Sequence, residues 1–461
     1  MFLSDQGRDA IIMKRIVTLE HLPAIGAPSS IGQVYLGPFY YYLIAPFLLM
    51  YGFNPVGMSY GNAFLSLLGL VVAFYIIKKE SGIVAGLIFL TLSVFSFVNI
   101  EASRFSWNPN LLPPFSFITL FFWHKAITSG KIKQIILFSA ASGVMLAFSV
   151  QLHYLAGFLI LPMIIVFAQR IKQEKHQFGK SFFISCASFI TGFLIFILPL
   201  VIFDLRHNFL NISNLVKLFF RQGIIANTSL NIRLTETISV FFSNILQIKL
   251  PPFIGFIFFF SFIFFYFMHR RKTISPLLQL HYLNIFLYII GFSFLDSARH
   301  PHYYGPVYFS AFYVVSLLFV EWIKKYKQPA KLFISVSIII YVLLQANNYY
   351  FLSKKGANQI LHSKKTAEFL ADKIGGKPFN IATWPVELTE DNYLYFLELK
   401  GYKPVDRKKV EISDQMFVLC SKEPCQILDS PSWNISMFGK AKIDRIWNVE
   451  GIKIFKLVHN N

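Results

Sequence analysis

The sequence predicts an all-α polytopic membrane protein that carries a small α/β domain at its C-terminal end. Three observations predict it. Of 461 residues, 55% are hydrophobic and only 14% charged, with a mean hydropathy of +0.54, whereas a soluble domain is about half apolar and about a quarter charged. Apolar runs of about twenty residues, the length that crosses a bilayer, recur along the chain. After Tyr349 the composition reverts to ordinary polarity.

The chain begins with "FLSDQGRDAIIMKRIV", Phe2 to Val17. Asp5, Arg8 and Asp9 stand three and four residues apart, which puts them on one side of a helix. Ile12, Ile16 and Leu19 continue the stripe as apolar residues. Such a helix can rest its oily stripe in the lipid boundary while its aspartates point into a polar cavity. The next run, Pro38–Phe53 ("PFYYYLIAPFLLMYGF"), is short, has Pro46 in its middle and lacks flanking charge. It reads as an interfacial or re-entrant helix with tyrosines at head-group level.

Ten spans follow. Seven are long, at Met58–Ile77, Gly82–Ile100, Ser181–Phe203, Pro252–Met268, His281–Ala298, Tyr303–Ile323 and Lys331–Asn347. Three are shorter, at Leu111–Ala126, Gln134–Leu152 and Tyr154–Ala168. Basic clusters at Lys78-Lys79, Lys131/Lys133, Arg170/Lys172/Lys175/Lys180, His269-Arg270-Arg271-Lys272 and Lys324-Lys325/Lys327/Lys331 occupy every second connection. The positive-inside rule makes those connections cytoplasmic. The loops "EASRFSWNPN", "DLRHNFLNIS" and "DSARHPHYYGP" then face outward, as do both chain ends. An outward start with no preceding span implies that a first transmembrane helix lies upstream of this chain.

Beyond Tyr349 an amphipathic pattern covers Gln359–Ile374, and strand-like runs follow at "PFNIATW", "QMFVLC" and "GIKIFKLV". Residues 349–461 thus form an extracytoplasmic α/β domain behind a transmembrane module, 1–348, whose first outer loop with juxtamembrane helices spans 1–57. Three cysteines, Cys186, Cys420 and Cys425, cannot form a disulfide scaffold. "CSKEPC" folds Cys420 and Cys425 around a turn at Pro424, leaving a disulfide and two free thiols both open. The net charge of +20 orients spans rather than reading nucleic acid. The sequence shows no Gly-rich phosphate loop, zinc-type Cys/His spacing or G-x-S-x-G elbow.

In its landmarks the chain resembles the GT-C superfamily of membrane glycosyltransferases. The nearest branch holds protein O-mannosyltransferases, the aminoarabinose transferase of lipid A and RgtA/B/C/D-like enzymes, and is glycosyltransferase family 39-like. "SDQGRDA" stands where that branch carries an Asp, often Asp-Glu, after its first span. "LGPFYYYLIAPFLLMYGFNPVG" matches its P-x-Y-Y stretch and juxtamembrane helix. "SRFSWNPNLLP" matches an Arg-containing outer loop, and "DLRHNFLNISNLVKLFFRQG" opens a large one. The likeness covers roughly residues 4–325. Gln6 replaces the second acid of the pair, so Asp9, one turn along, can supply that carboxylate. Before the juxtamembrane Pro, "YLGP" lacks the basic residue that some relatives use to hold a lipid phosphate.

The resemblance implies transfer of a hexosyl or pentosyl group from a polyprenyl-phosphate-sugar to an acceptor hydroxyl on a lipid, glycan or protein. The chemistry would take place at the outer face of the cell membrane. The acceptor then needs a base, for which Asp5, with Asp9, is the candidate. The leaving phosphate needs fixed cations, for which Arg8, Arg104, Arg206 and Arg299 are candidates. His153, His300 and His302 with Tyr303 are placed to line a sugar pocket. The residues assign no cofactor, and a divalent cation is compatible with the acidic pair.

Each residue also has a plainer reading. Asp5 and Asp9 can simply cap and solvate an interfacial helix. Arg104 can anchor at the interface beside Trp107, Arg206-His207 can be a solvated loop, and His153-Tyr154 a hairpin tip. "RHPHYY" lacks a third metal ligand. Two other functions compete, a lipid-linked glycan polymerase or ligase and a flippase or transporter. A transporter would place charge or helix breaks at mid-membrane, whereas these span interiors are nearly charge-free.

Overall fold

Helices form wherever the sequence runs apolar for long enough to satisfy its backbone internally, as a bilayer demands. The computed structural model describes residues 2–29, 33–173, 178–218, 228–270, 274–385 and 388–460. Lys175, Arg271 and Lys272 of the basic clusters lie outside these, as do residues 219–223 of the loop that opens at Asp204.

In chain order the helices are α1 (Ser4–Val17), α2 (Phe39–Met50), α3 (Val56–Ser81), α4 (Ile83–Phe95), α5 (Phe97–Ser103) and α6 (Leu112–Thr128). There follow α7 (Ile132–Leu152), α8 (Ile160–Gln173), α9 (Phe178–Arg206), α10 (Leu210–Val216), α11 (Leu230–Leu246) and α12 (Pro252–Arg270). The series ends with α13 (Pro276–Ser293), α14 (Gly305–Ala346), α15 (Gln359–Ile374), α16 (Asp391–Leu399) and α17 (Trp433–Ser436).

All ten expected apolar runs are helical. Among the described residues 7 helices are long and apolar enough to cross a membrane, or up to 8 if α4 and α5 make one span. Those two are bent by 64° at Ser96, where a continuous span from Gly82 to Ile100 was expected. The helix α14 holds two of the expected runs, on either side of Lys327, whose φ of 48° and ψ of −119° interrupt it just before Pro329. Pro329 has no N–H to give the carbonyl four residues earlier, and its ring crowds the turn that holds Lys327. Helix α2 has 12 residues with Pro46 inside it. At 1.5 Å per residue that is about 18 Å, short of the roughly 30 Å hydrocarbon layer.

The chain divides into two compact units, one of Pro23–Leu43 and Tyr60–Lys354, the other of Met1–Leu22, Ile44–Ser59 and Lys355–Asn461. In the larger unit α7 and α9 approach through glycines. A Cβ at Gly143 would lie 2.1 Å from the Phe189 carbonyl oxygen, and one at Gly192 2.3 Å from that of Ala140. Small residues let helices meet in lipid, where burial gives no hydrophobic advantage between them. The core of this unit is aromatic, and three of its buried tyrosines direct their hydroxyls to backbone. Tyr304 donates to Thr237 O at 3.0 Å, Tyr308 to Pro301 O at 2.8 Å and Tyr341 to Leu92 O at 2.8 Å.

In the smaller unit a four-stranded sheet is ordered β1-β2-β4-β3, with β1 (Asn380–Trp384), β2 (Gln415–Cys420), β3 (Ala441–Val449) and β4 (Ile452–His459). Strands β1 and β2 are parallel and the other pairs antiparallel. The strand-like sequence runs correspond to β1, β2 and β4, and the amphipathic pattern to α15. Cys420 and Cys425 form a disulfide with Cα atoms 6.0 Å apart, so of the two readings the sequence left open it is the bridge that forms.

Candidate functional site

Helix α1 is fixed within the smaller unit by its N-terminal end. Phe2 is buried, its ring 6.1 Å from that of Tyr395 and 5.7 Å from that of Phe396, and its N–H donates to Gln359 Oε1 at 2.8 Å. Gln6, the residue that replaces the second acid of the motif, is buried and caps the helix by accepting from Leu3 N at 3.0 Å. The buried face of α1 runs through Gly7, Ala10, Ile11 and Met13, with Ile16 at its end. Of the expected oily stripe Ile16 is buried, but Leu19 stands exposed at φ 59°.

The three charged residues make one ion-paired group. Arg8 donates from Nη1 to Asp5 Oδ1 at 2.9 Å, and from Nη2 and Nε to Asp9 Oδ1 at 2.8 and 3.0 Å. The two carboxylates differ sharply in access: the side chain of Asp5 is 53% exposed, that of Asp9 0%. Asp9 therefore holds the guanidinium from within, and Arg8 presents its outer edge to Asp5. Asp5 also lies in the first turn of α1, where the helix dipole favours a negative charge.

The start of α16 adds residues that the sequence reading missed. Ser4 Oγ donates to Thr389 O at 2.9 Å and accepts from Thr389 N at 3.2 Å. Thr389 Oγ1 donates to Asp391 Oδ2 at 2.5 Å. Burial raises the Asp391 carboxyl above its ordinary range, while Thr389 and the Arg8 guanidinium pull it back. Glu390, buried beside it, is raised by burial against the opposing charge of Arg407, with which it pairs. The only sequence signal was "TED" before an amphipathic turn, which reads equally well as a helix start.

In the larger unit, four of the predicted side chains cluster. The rings of His153 and Tyr303 are 5.2 Å apart, those of His300 and His302 are stacked at 5.6 Å, and His302 lies 4.2 Å from Tyr303. Trp107, from the "SRFSWNPN" segment, joins them at 4.5 Å from His302. His153 is extended between α7 and the following 3₁₀ turn, and its Nδ1 accepts from Leu155 N at 3.3 Å. Burial lowers its imidazole to about 3, so it is neutral. A ring-lined wall of this kind can stack on and hydrogen-bond a sugar.

The arginines of this unit do not gather on that wall. Arg299 is 7% exposed, donating from Nε to Thr237 Oγ1 at 2.8 Å, from Nη1 to Ser297 O at 2.6 Å and from Nη2 to Leu295 O at 2.9 Å. Those bonds tie its loop down. Arg104 lies over the Phe351 ring at 4.2 Å. Arg206 is exposed in the last turn of α9, where a cation suits the helix dipole. Its neighbour Asp204 accepts from Asn211 N at 2.6 Å and Ile212 N at 3.1 Å, fixing the start of α10. Among the described residues no three of His, Cys, Asp and Glu are grouped to hold a metal ion.

No known family and no curated protein matches the chain by sequence. Solved structures do match its fold. ArnT from Cupriavidus metallidurans bound to undecaprenyl phosphate aligns at TM-score 0.59 and 12% identity, over 99% of this chain and 94% of that one. Its apo state aligns at 0.58, with the same identity and coverage. The oligosaccharyltransferase of Archaeoglobus fulgidus, in complex with Zn and sulfate, aligns at 0.53 and 12% identity over 91% of this chain and 64% of that one. Both are GT-C proteins. The chain has the GT-C fold.

Proposed function

We propose that the protein is a multi-pass glycosyltransferase of the cell membrane that moves a hexosyl or pentosyl group from a polyprenyl-phosphate donor to an acceptor hydroxyl at the outer face. The observation that carries this reading is the fold likeness, which runs over nearly the whole chain and includes a protein bound to undecaprenyl phosphate. The Cys420–Cys425 disulfide supports an outward position for the smaller unit, because such bonds persist in oxidising compartments.

Asp5 takes the proton of the acceptor hydroxyl as its oxygen attacks the anomeric carbon. The carbon–oxygen bond to the phosphate breaks, and the polyprenyl phosphate leaves with the electron pair. Arg8 balances charge at Asp5, and Asp9 acts as a positioning residue through Arg8. Of the remaining cations Arg104 and Arg206 are the candidates for the leaving phosphate, because the bonds of Arg299 serve its own loop. His153, His300 and Tyr303 orient the sugar.

The test is transfer by the purified, lipid-reconstituted protein. Labelled polyprenyl-phosphate sugars should give glycosylated product and free polyprenyl phosphate, while nucleotide sugars give none. Turnover with nucleotide sugars alone would refute the donor class.

A further inference from the structure

Two neighbouring cavities in the larger unit have the shape and chemistry of a lipid site. One, of about 1190 Å³, lies at the break in α14. Its polar end carries Lys324, Lys325 and Glu321, and its floor is apolar, with Met268 from α12 and Phe333 beyond the break. The other, of about 420 Å³, is lined almost wholly by apolar side chains between α11, α12 and both halves of α14. Phe265 and Trp322 line both. A cationic chamber thus adjoins an apolar one through two shared aromatic walls.

The charge at the polar end is positive. Glu321 turns its carboxylate onto His269 Nε2 at 2.6 Å, and His269 Nδ1 meets the Tyr282 hydroxyl at 3.2 Å. The polar end thus carries two lysines against one carboxylate, with Lys325 Nζ 4.8 Å over the Tyr326 ring, and the other lining is mostly apolar. The irregular backbone at Lys327 lies beside this cavity, between its lining residues Tyr326 and Pro329. By the positive-inside rule the basic stretch at the break in α14 is cytoplasmic.

From this geometry we propose that the paired cavities bind an anionic glycerophospholipid, its phosphate against Lys324 and Lys325 and an acyl chain in the apolar chamber. Basic pockets between spans on the cytoplasmic side have this use. The proposal is independent of the transfer reaction, since it concerns the other end of the spans.

Native mass spectrometry of the delipidated full-length protein, titrated with dioleoyl phosphatidylglycerol and phosphatidylcholine, tests it. Each lysine near an anionic head group contributes about fivefold in affinity, so the wild type should prefer phosphatidylglycerol by about 25-fold. The double variant Lys324→Gln/Lys325→Gln should lose most of that preference. Ser337→Phe, which fills the apolar chamber, should abolish the advantage of dioleoyl over dihexanoyl chains while sparing charge selectivity. Equal binding of the two lipids, an unchanged preference in the double variant, or displacement by millimolar inorganic phosphate would each overturn the proposal.

Discussion

Gly7 lies against the peptide that joins Asp391 to Asn392: a methyl group at Gly7 would come within 2.3 Å of the Asn392 nitrogen. Helix α1, which carries the acidic group, is therefore seated on the first turn of α16, more than 380 residues further along the chain. No side chain larger than hydrogen fits without separating them. Gly7→Ala should lower the stability of this unit by about 1–3 kcal/mol, the usual cost of overpacking. It should also reduce transfer, because Asp5 rides on the displaced helix. Thermal unfolding of the purified variant checks the first effect, and no loss of stability would show that α1 and α16 separate freely.

This seating also marks where sequence reading ends. The ten apolar runs, α15 and three of the four strands were legible because their signals are local: length of apolar run, 3.6-residue periodicity, β-branched clustering. Strand β3 was not, because it is an edge strand whose exposed residues include Lys442, Asp444 and Arg445. The break at Ser96 was hidden because no Pro or Gly marks it. Asp5, Arg8 and Asp9 were legible as a group from helical spacing. Which carboxylate is open and which buried was not, since that depends on α16. Arg299 looked free for phosphate because nothing local to it announces Thr237 as its partner.

His153 predicts a pH dependence. Its folded-state value of about 3 lies below the ordinary 6.5 because burial disfavours the cation. Above 6.5 folded and unfolded forms are both neutral and the group contributes nothing to pH dependence. As pH falls from 6.5 toward 3 the unfolded chain gains a proton that the folded one refuses, so stability declines by about 1.4 kcal/mol per pH unit. His153→Asn should show a shallower decline than the wild type between pH 6.5 and 4.5, measured by thermal unfolding in detergent. Parallel curves would mean that the imidazole is accessible when folded.

The disulfide predicts a separate loss. Closing so short a loop restricts the unfolded chain by about 2 kcal/mol in the chain-entropy description. Cys420→Ser and Cys425→Ser should each lower stability by about that amount. In a Cys186→Ser background, which removes the free thiol, a maleimide should label both thiols only after reduction. Labelling without reductant would show that the pair is not oxidised.

Orientation can be read chemically. In intact cells an impermeant thiol reagent should mark Ser353→Cys and leave Lys325→Cys unmarked. The reverse pattern would invert the topology and place the acidic helix inside the cell.

The account stands on Asp5, and one kinetic comparison tests it most directly. Asp5→Asn is nearly isosteric and keeps a partner for Arg8, yet the amide takes no proton at neutral pH. General-base contributions run to about 10²–10⁴-fold. Sugar transfer by Asp5→Asn in the reconstituted protein should fall by that order, mostly in kcat, with donor binding and thermal stability near wild type. Asp9→Asn, acting only through Arg8, should fall less. Wild-type turnover by Asp5→Asn, with both variants folded, would contradict the mechanism and leave the acidic group a helix-end ion pair.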